Sequence, residues 1–135
     1  MINSKNSNKF IKTRIIGLLF ISAFLLYGFG RSLFETKLHI QKYFGALLII
    51  LNSVAVVFIG VYIRKTLIKI NVLIANTYLF SRLIEALALS SIILNLFPNS
   101  TISLDFGYFI ALLFLGIGSI PMCYTFYKHN LLPKW

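Results

Sequence analysis

Four long stretches of apolar residues, separated by short polar segments, organise the 135-residue chain. Ile15 to Gly30 is a run of sixteen residues without a formal charge, reaching about 24 Å as a helix, enough to cross a bilayer if the flanking cations snorkel. Tyr43 to Ile63 is a run of twenty-one, about 31 Å, close to the hydrocarbon thickness. Phe106 to Tyr127 is a run of twenty-two, with Pro121 near its end, where a membrane helix tolerates a kink. The third stretch is interrupted by Arg82 and Glu85. If both sat at the membrane edge, only Ala86 to Phe97 would remain before the Pro98-Asn99-Ser100 breaker, about 18 Å and too short. The span must therefore reach back to about Ala75, which places Glu85 and Arg82 roughly 2 and 6 Å from the midplane along the helix axis.

These runs predict an all-α integral membrane bundle of four transmembrane helices, forming a single membrane domain over 1–135 with spans at about 12–30, 43–63, 75–97 and 106–127. The segment Arg31 to Phe44 carries Leu33, Phe34, Leu38, Ile40, Tyr43 and Phe44 among its charges, and reads either as a short amphipathic helix along the interface or as a loop. A cleavable leader competes for the first run, because Lys5, Lys9, Lys12 and Arg14 precede it and Gly28-Phe29-Gly30 loosely fits a small-x-small site. Glycine suits such a site less well than alanine and Arg31 follows at once, so the first helix is expected to stay.

Charge orients the spans. The amino tail, the 64–74 loop and the carboxyl tail hold Lys5, Lys9, Lys12, Arg14, Arg64, Lys65, Lys69, Lys128 and Lys134, nine in all, against Arg31, Lys37 and Lys42 on the other side. The positive-inside rule then puts both termini in the cytoplasm, as an even number of spans requires. Tyr124, Phe126, Tyr127 and Trp135 resemble an interfacial aromatic belt on that side.

Composition removes other classes. With 59% apolar and 12% charged residues, a small soluble globule would expose far too much apolar surface. A net charge of +10 can attract phosphate, but the basic residues flank the apolar runs and leave no folded basic surface, so nucleic acid is not an expected partner. Cys123 is the sole cysteine, which excludes an internal disulfide, and its thiol is expected to be buried. The expected location is the cell membrane, with the lipid bilayer as the main partner.

Candidate chemistry concentrates in the third span. Arg82 and Glu85 are three residues apart and share a helix face that Tyr78 extends by one turn. Two ionised residues at mid-helix oppose insertion by about 5 to 7 kcal/mol, while the eleven Leu, Ile and Phe residues from Ala75 to Phe97 return roughly 3 to 6. The charged face should therefore turn toward other helices. Asn52 and Ser53 lie at the centre of the second run, at matching depth in an antiparallel neighbour, so a buried polar cluster of Asn52, Tyr78, Arg82 and Glu85 is expected. Gly107 with Ala111, and Ala86 with Ser90, supply small residues four apart for close helix approach, and Gly116 and Gly118 add packing or flexibility.

Other chemistry finds little footing. His39 and His129 fall on opposite sides of the membrane, with no Cys or carboxylate cluster beside either, so no metal is expected. No Ser, His and Asp set lies at one depth, Asp105 beginning the fourth span and His129 ending it. Asn99-Ser100-Thr101 fits a glycosylation pattern but sits in a loop too close to the membrane. Neither an enzyme nor a cofactor is expected.

The pieces Gly45-Ala46-Leu47-Leu48, Asn52-Ser53-Val54-Ala55-Val56 with Ile59-Gly60, and Tyr78, Arg82 and Glu85-Ala86 together resemble a bacterial family of uncharacterised multi-span membrane proteins catalogued as domain of unknown function 4386. The ending Leu131-Leu132-Pro133-Lys134-Trp135 is similar to that family's basic Leu-x-Pro-Arg/Lys-Trp motif. The resemblance runs over most of the chain from about residue 10 and implies that Asn52, Arg82 and Glu85 belong to the family's polar signature. It implies no reaction. The chain is shorter than the roughly six-span members of that family, and a missing final helix would leave a groove that self-association could cover. Two readings follow: a structural or partner-binding membrane protein whose cluster specifies helix packing, or a small carrier or channel-like protein. In the second, Glu85 binds a proton or cation, Arg82 sets its affinity, and Asn52 and Tyr78 act as neutral ligands.

Overall fold

The computed structural model describes residues 4–36, 38–97 and 104–129, with side chains over 17–36, 38–97 and 105–129. Helix α1 spans Ser4–Phe34, α2 His39–Leu67, α3 Val72–Ser90 and α4 Leu104–Lys128, and α3 continues as a 3-10 helix over Ser91–Leu96. Each contains a window long and apolar enough to cross a membrane, at Gly17–Phe34, His39–Leu67, Val72–Leu96 and Asp105–Lys128. No strand occurs among the described residues. The all-α expectation holds, and the chain is a multi-pass membrane protein in contact with the lipid bilayer.

The helices outrun the charge-free stretches, because backbone hydrogen bonding does not stop where the hydrocarbon does. At 29 residues, α2 is about 43 Å long against a hydrocarbon core of about 30 Å, and it carries Lys42 at one end and Arg64 and Lys65 at the other. Segment 31–44 forms no separate amphipathic helix among its described residues. Helix α1 runs through Phe34 and α2 begins at His39, leaving a link in which Glu35 N–H donates to Arg31 O at 3.1 Å and Thr36 Oγ1 to Leu33 O at 2.7 Å. An Arg31–Glu35 ion pair of 2.9 Å closes the last turn.

Helix α3 starts three residues before the predicted Ala75 because Asn71 caps it. The Asn71 side-chain oxygen accepts from Leu73 N at 2.9 Å and Ile74 N at 3.2 Å, satisfying two of the amide donors that a helix start leaves unpaired. The α-helical part ends at Ser90, short of Phe97. The hydroxyls of Ser90 and Ser91 donate back to Leu87 O and Ala88 O at 3.0 and 2.7 Å, and the coil tightens to 3-10 geometry, which adds about 2.0 Å per residue and still carries the span outward.

The chain divides into two compact units, 1–55 and 56–135, with the boundary inside α2. In the first, α1 meets the start of α2 at two glycines. A Cβ on Gly45 would lie 2.5 Å from Phe34 N and 2.6 Å from Gly30 O, so the backbones approach as only glycine permits. Ala23, Phe34, Ala46 and Ile49 are buried there, and the Lys42 ammonium lies 5.2 Å from the Phe34 ring centre.

In the second unit, α3 and α4 pack antiparallel. A Cβ on Gly107 would stand 2.9 Å from Ala88 O, and Ala86 and Ala111 are buried, as the small-residue spacing predicts. Gly118 faces Ser81, whereas a Cβ on Gly116 would meet nothing within 4 Å, so no close helix approach depends on it. Pro121 removes one helix N–H without ending α4, and Thr125 Oγ1 donates to the Pro121 carbonyl at 2.8 Å.

Large apolar side chains such as Phe24, Ile40, Leu87 and Ile120 point outward, the arrangement expected when the solvent is hydrocarbon. Cys123 is exposed, contrary to expectation. It lies on the outward stripe of α4 that also carries Ile120, Tyr124 and Tyr127, residues three and four apart on one helix face. Trp135, the rest of the Leu131–Trp135 motif, Lys37, Pro98 and the Asn99-Ser100-Thr101 tripeptide lie outside the described residues, as do the side chains of Lys5, Lys9, Lys12 and Arg14.

Candidate functional site: a buried ion pair inside an apolar helix

Tyr78, Arg82 and Glu85 recur at the four- and three-residue intervals that align side chains along one helix face. That face of α3 is turned inward: the three residues are 0%, 2% and 7% exposed. The Arg82 Nη1 group donates to Glu85 Oε2 at 2.6 Å, and Nη2 donates to Ser119 Oγ on α4 at 3.0 Å. The guanidinium carbon also lies 4.9 Å from the Tyr78 ring centre, within the range of a cation–π contact. One cation thus engages a carboxylate and an aromatic ring on its own helix and a hydroxyl on the next.

Two glycines give the arginine its place. A Cβ on Gly60 of α2 would sit 2.9 Å from Arg82 Cβ, so α2 passes directly over the aliphatic stem. On the other flank, a Cβ on Gly118 would collide with Ser81 Oγ and lie 2.9 Å from Ser81 Cβ, so α4 comes close enough for Ser119 to reach the guanidinium. Ser81 donates to the Tyr78 carbonyl at 2.8 Å, which leaves its hydroxyl little freedom to move aside.

Of the four residues expected to form the cluster, Tyr78, Arg82 and Glu85 come together. Asn52 belongs to the first compact unit, where it is 2% exposed, and its Oδ1 has no hydrogen-bond partner among the described residues. Its neighbour Ser53 bonds back to Ile49 O at 3.0 Å. The Tyr78 hydroxyl is likewise buried without a hydrogen-bond partner among the described residues. Ser119 was missed, and Gly60 and Gly118, though named in the sequence, were not tied to Arg82. The signal for Ser119 was present: with α3 and α4 antiparallel, it falls at the depth of Arg82, as Asn52 was matched to Glu85.

A buried ion pair repays its desolvation only when the geometry is good and the remaining hydrogen-bonding groups are occupied. The pair here has a short charge-assisted bond and a second acceptor. Among the described residues, no group of three or more His, Cys, Asp and Glu is placed to hold a metal ion. The arrangement neutralises two charges in an apolar interior and ties α3 to α4 at that depth. Comparison of the chain with protein-family models, with curated proteins and with solved structures finds no match.

Proposed function

We propose that this is a small integral protein of the cell membrane whose Tyr78, Arg82 and Glu85 cluster specifies how α3 and α4 pair, and thereby shapes a surface for association with itself or with another membrane protein. The observation that carries this reading is the occupancy of Arg82: Nη1 bonds Glu85 and Nη2 bonds Ser119, both bonds internal to the packed helices. Bonds from one guanidinium to a carboxylate on its own helix and a hydroxyl on the next favour one helix register over its alternatives. Both termini face the cytoplasm in this reading, on the strength of nine basic residues against three at the two sets of helix ends. The resemblance to the domain of unknown function 4386 family, carried by Asn52, Arg82 and Glu85 among other residues, supports a bacterial setting.

The test is a double-mutant cycle. Glu85→Gln and Arg82→Met should each lower the membrane level of folded protein sharply, since removing one partner of a buried pair leaves an uncompensated charge and costs about 3–5 kcal/mol. The double variant should recover most of that loss. If all three variants accumulate like the parent protein, the packing role is refuted.

A second reading, ion or small-ligand handling at Glu85 and Arg82, draws on the Tyr78 hydroxyl, a fully buried polar group with no hydrogen-bond partner among the described residues. Rapid modification of Glu85 by a water-soluble carbodiimide in sealed vesicles would reveal an aqueous path and favour this reading. Protection favours packing.

A further inference from the structure

The second unit carries an open groove of about 350 Å³ along α3 and α4, lined by Asn76, Thr77, Phe80 and Ser81 from α3 and by Phe114 and Ile117 from α4. This is at the lower end of the volumes that hold small ligands, about 300–1,000 Å³. Phe80 and Ile117 are more than half exposed, so the groove opens outward, to the side where acyl chains run. Its composition is graded. Asn76 and Thr77 lie nearer the start of α3, and the wall beyond them is aromatic and aliphatic.

The polar end of the groove is tied to a cation. Arg64 Nε on α2 donates to Asn76 Oδ1 at 3.1 Å, which holds the guanidinium beside a groove-lining residue. That bond uses only Nε, so the two Nη groups remain as a fork suited to phosphate oxygens. Lys65 follows on α2, Lys69 lies in the turn before α3, and the antiparallel packing of α4 brings Lys128 to the same end. No acidic residue occurs between Arg64 and Arg82, or from Phe106 to the end of the chain. The charge at this end is therefore uniformly positive. A zwitterionic headgroup brings its own cation into that field with no net charge to attract it, whereas a net-negative one is drawn to it.

We propose that this groove binds one anionic glycerophospholipid. Its phosphate lies on Arg64 with Lys65 and Lys69 reinforcing the field, its ester region is within reach of Asn76 and Thr77, and one acyl chain follows Phe80, Phe114 and Ile117. The juxtaposition of an Asn-tethered guanidinium with an outward-facing apolar channel is what a two-part ligand of this kind requires.

The test uses the full chain, purified in uncharged detergent and examined by native mass spectrometry with phosphatidylglycerol and phosphatidylcholine of matched acyl chains. One phosphatidylglycerol should bind per chain in preference to phosphatidylcholine. Arg64→Gln should reduce that preference by roughly fivefold or more, the factor corresponding to about 1 kcal/mol for one basic residue at a lipid surface. Ile117→Trp, at an exposed position, should fill the channel and weaken both lipids. Lys42→Gln, at the other end of α2, removes the same net charge and should leave the preference intact. Equal binding of the two lipids would overturn the proposal. So would an unchanged preference in Arg64→Gln, or an equal loss in Lys42→Gln. A change of oligomeric state in Ile117→Trp without a change in lipid binding would assign the groove to a second copy of the chain and also overturn it.

Discussion

The position of Arg82 depends as much on side chains that are missing as on those that touch it. Gly60 and Gly118 allow α2 and α4 to approach from either flank, one over the arginine stem and one beside Ser81. Adding a methyl group at Gly118 forces Ser81 to give up its bond to the Tyr78 carbonyl or forces α4 outward, and overpacking of this kind costs about 1–3 kcal/mol. Gly118→Ala should therefore lower the thermal midpoint in detergent, whereas Gly116→Ala, where the added methyl meets nothing within 4 Å, should leave it unchanged or raise it. Equal effects would show that the close approach at Gly118 is not what orders the cluster. Tyr78, Arg82 and Glu85 were readable from the chain because two charges in an apolar run must turn inward and helical spacing names the residue that turns with them. Ser119 was readable only by its depth, because an uncharged serine between glycine and isoleucine carries no desolvation penalty large enough to demand a partner of its own.

The helices were legible at their centres and less so at their ends. Charge-free runs mark where hydrocarbon surrounds the chain, and the interior of every predicted span is helical. The ends follow backbone hydrogen bonding instead: Asn71 starts α3 three residues before Ala75, and the Ser90 and Ser91 hydroxyls accompany its tightening into a 3-10 turn. Asn71→Ala removes the acceptor for two amides and should destabilise the protein by about 1 kcal/mol, whereas Asn71→Asp or Asn71→Ser keeps a side-chain acceptor and should retain most of the stability. Hydrogen exchange at Leu73 and Ile74 reads this directly. Exchange as slow in Asn71→Ala as in the parent would mean that the turn before α3, and not the cap, protects those amides. The alternation of charged and apolar residues in segment 31–44 reads equally as an interface helix or a loop, while the chain uses most of those residues to finish α1 and begin α2.

For the molecule as a whole, the asymmetry of basic residues makes the orientation measurable. A fluorescent reporter inserted in the turn at 68–70, or fused after Trp135, should fluoresce, and a periplasmically active phosphatase inserted beside Thr36 should be active; the reverse pattern would invert the topology. Chain order adds one more consequence. Arg82 and Ser119 are separated by 37 positions, and at synthesis rates of about 5–20 residues per second the arginine precedes its hydroxyl partner by a few seconds. During that interval the nascent segment holds a guanidinium and a carboxylate with no α4 to shelter them. Release of α3 from the insertion machinery into bulk lipid should therefore be delayed until α4 has emerged.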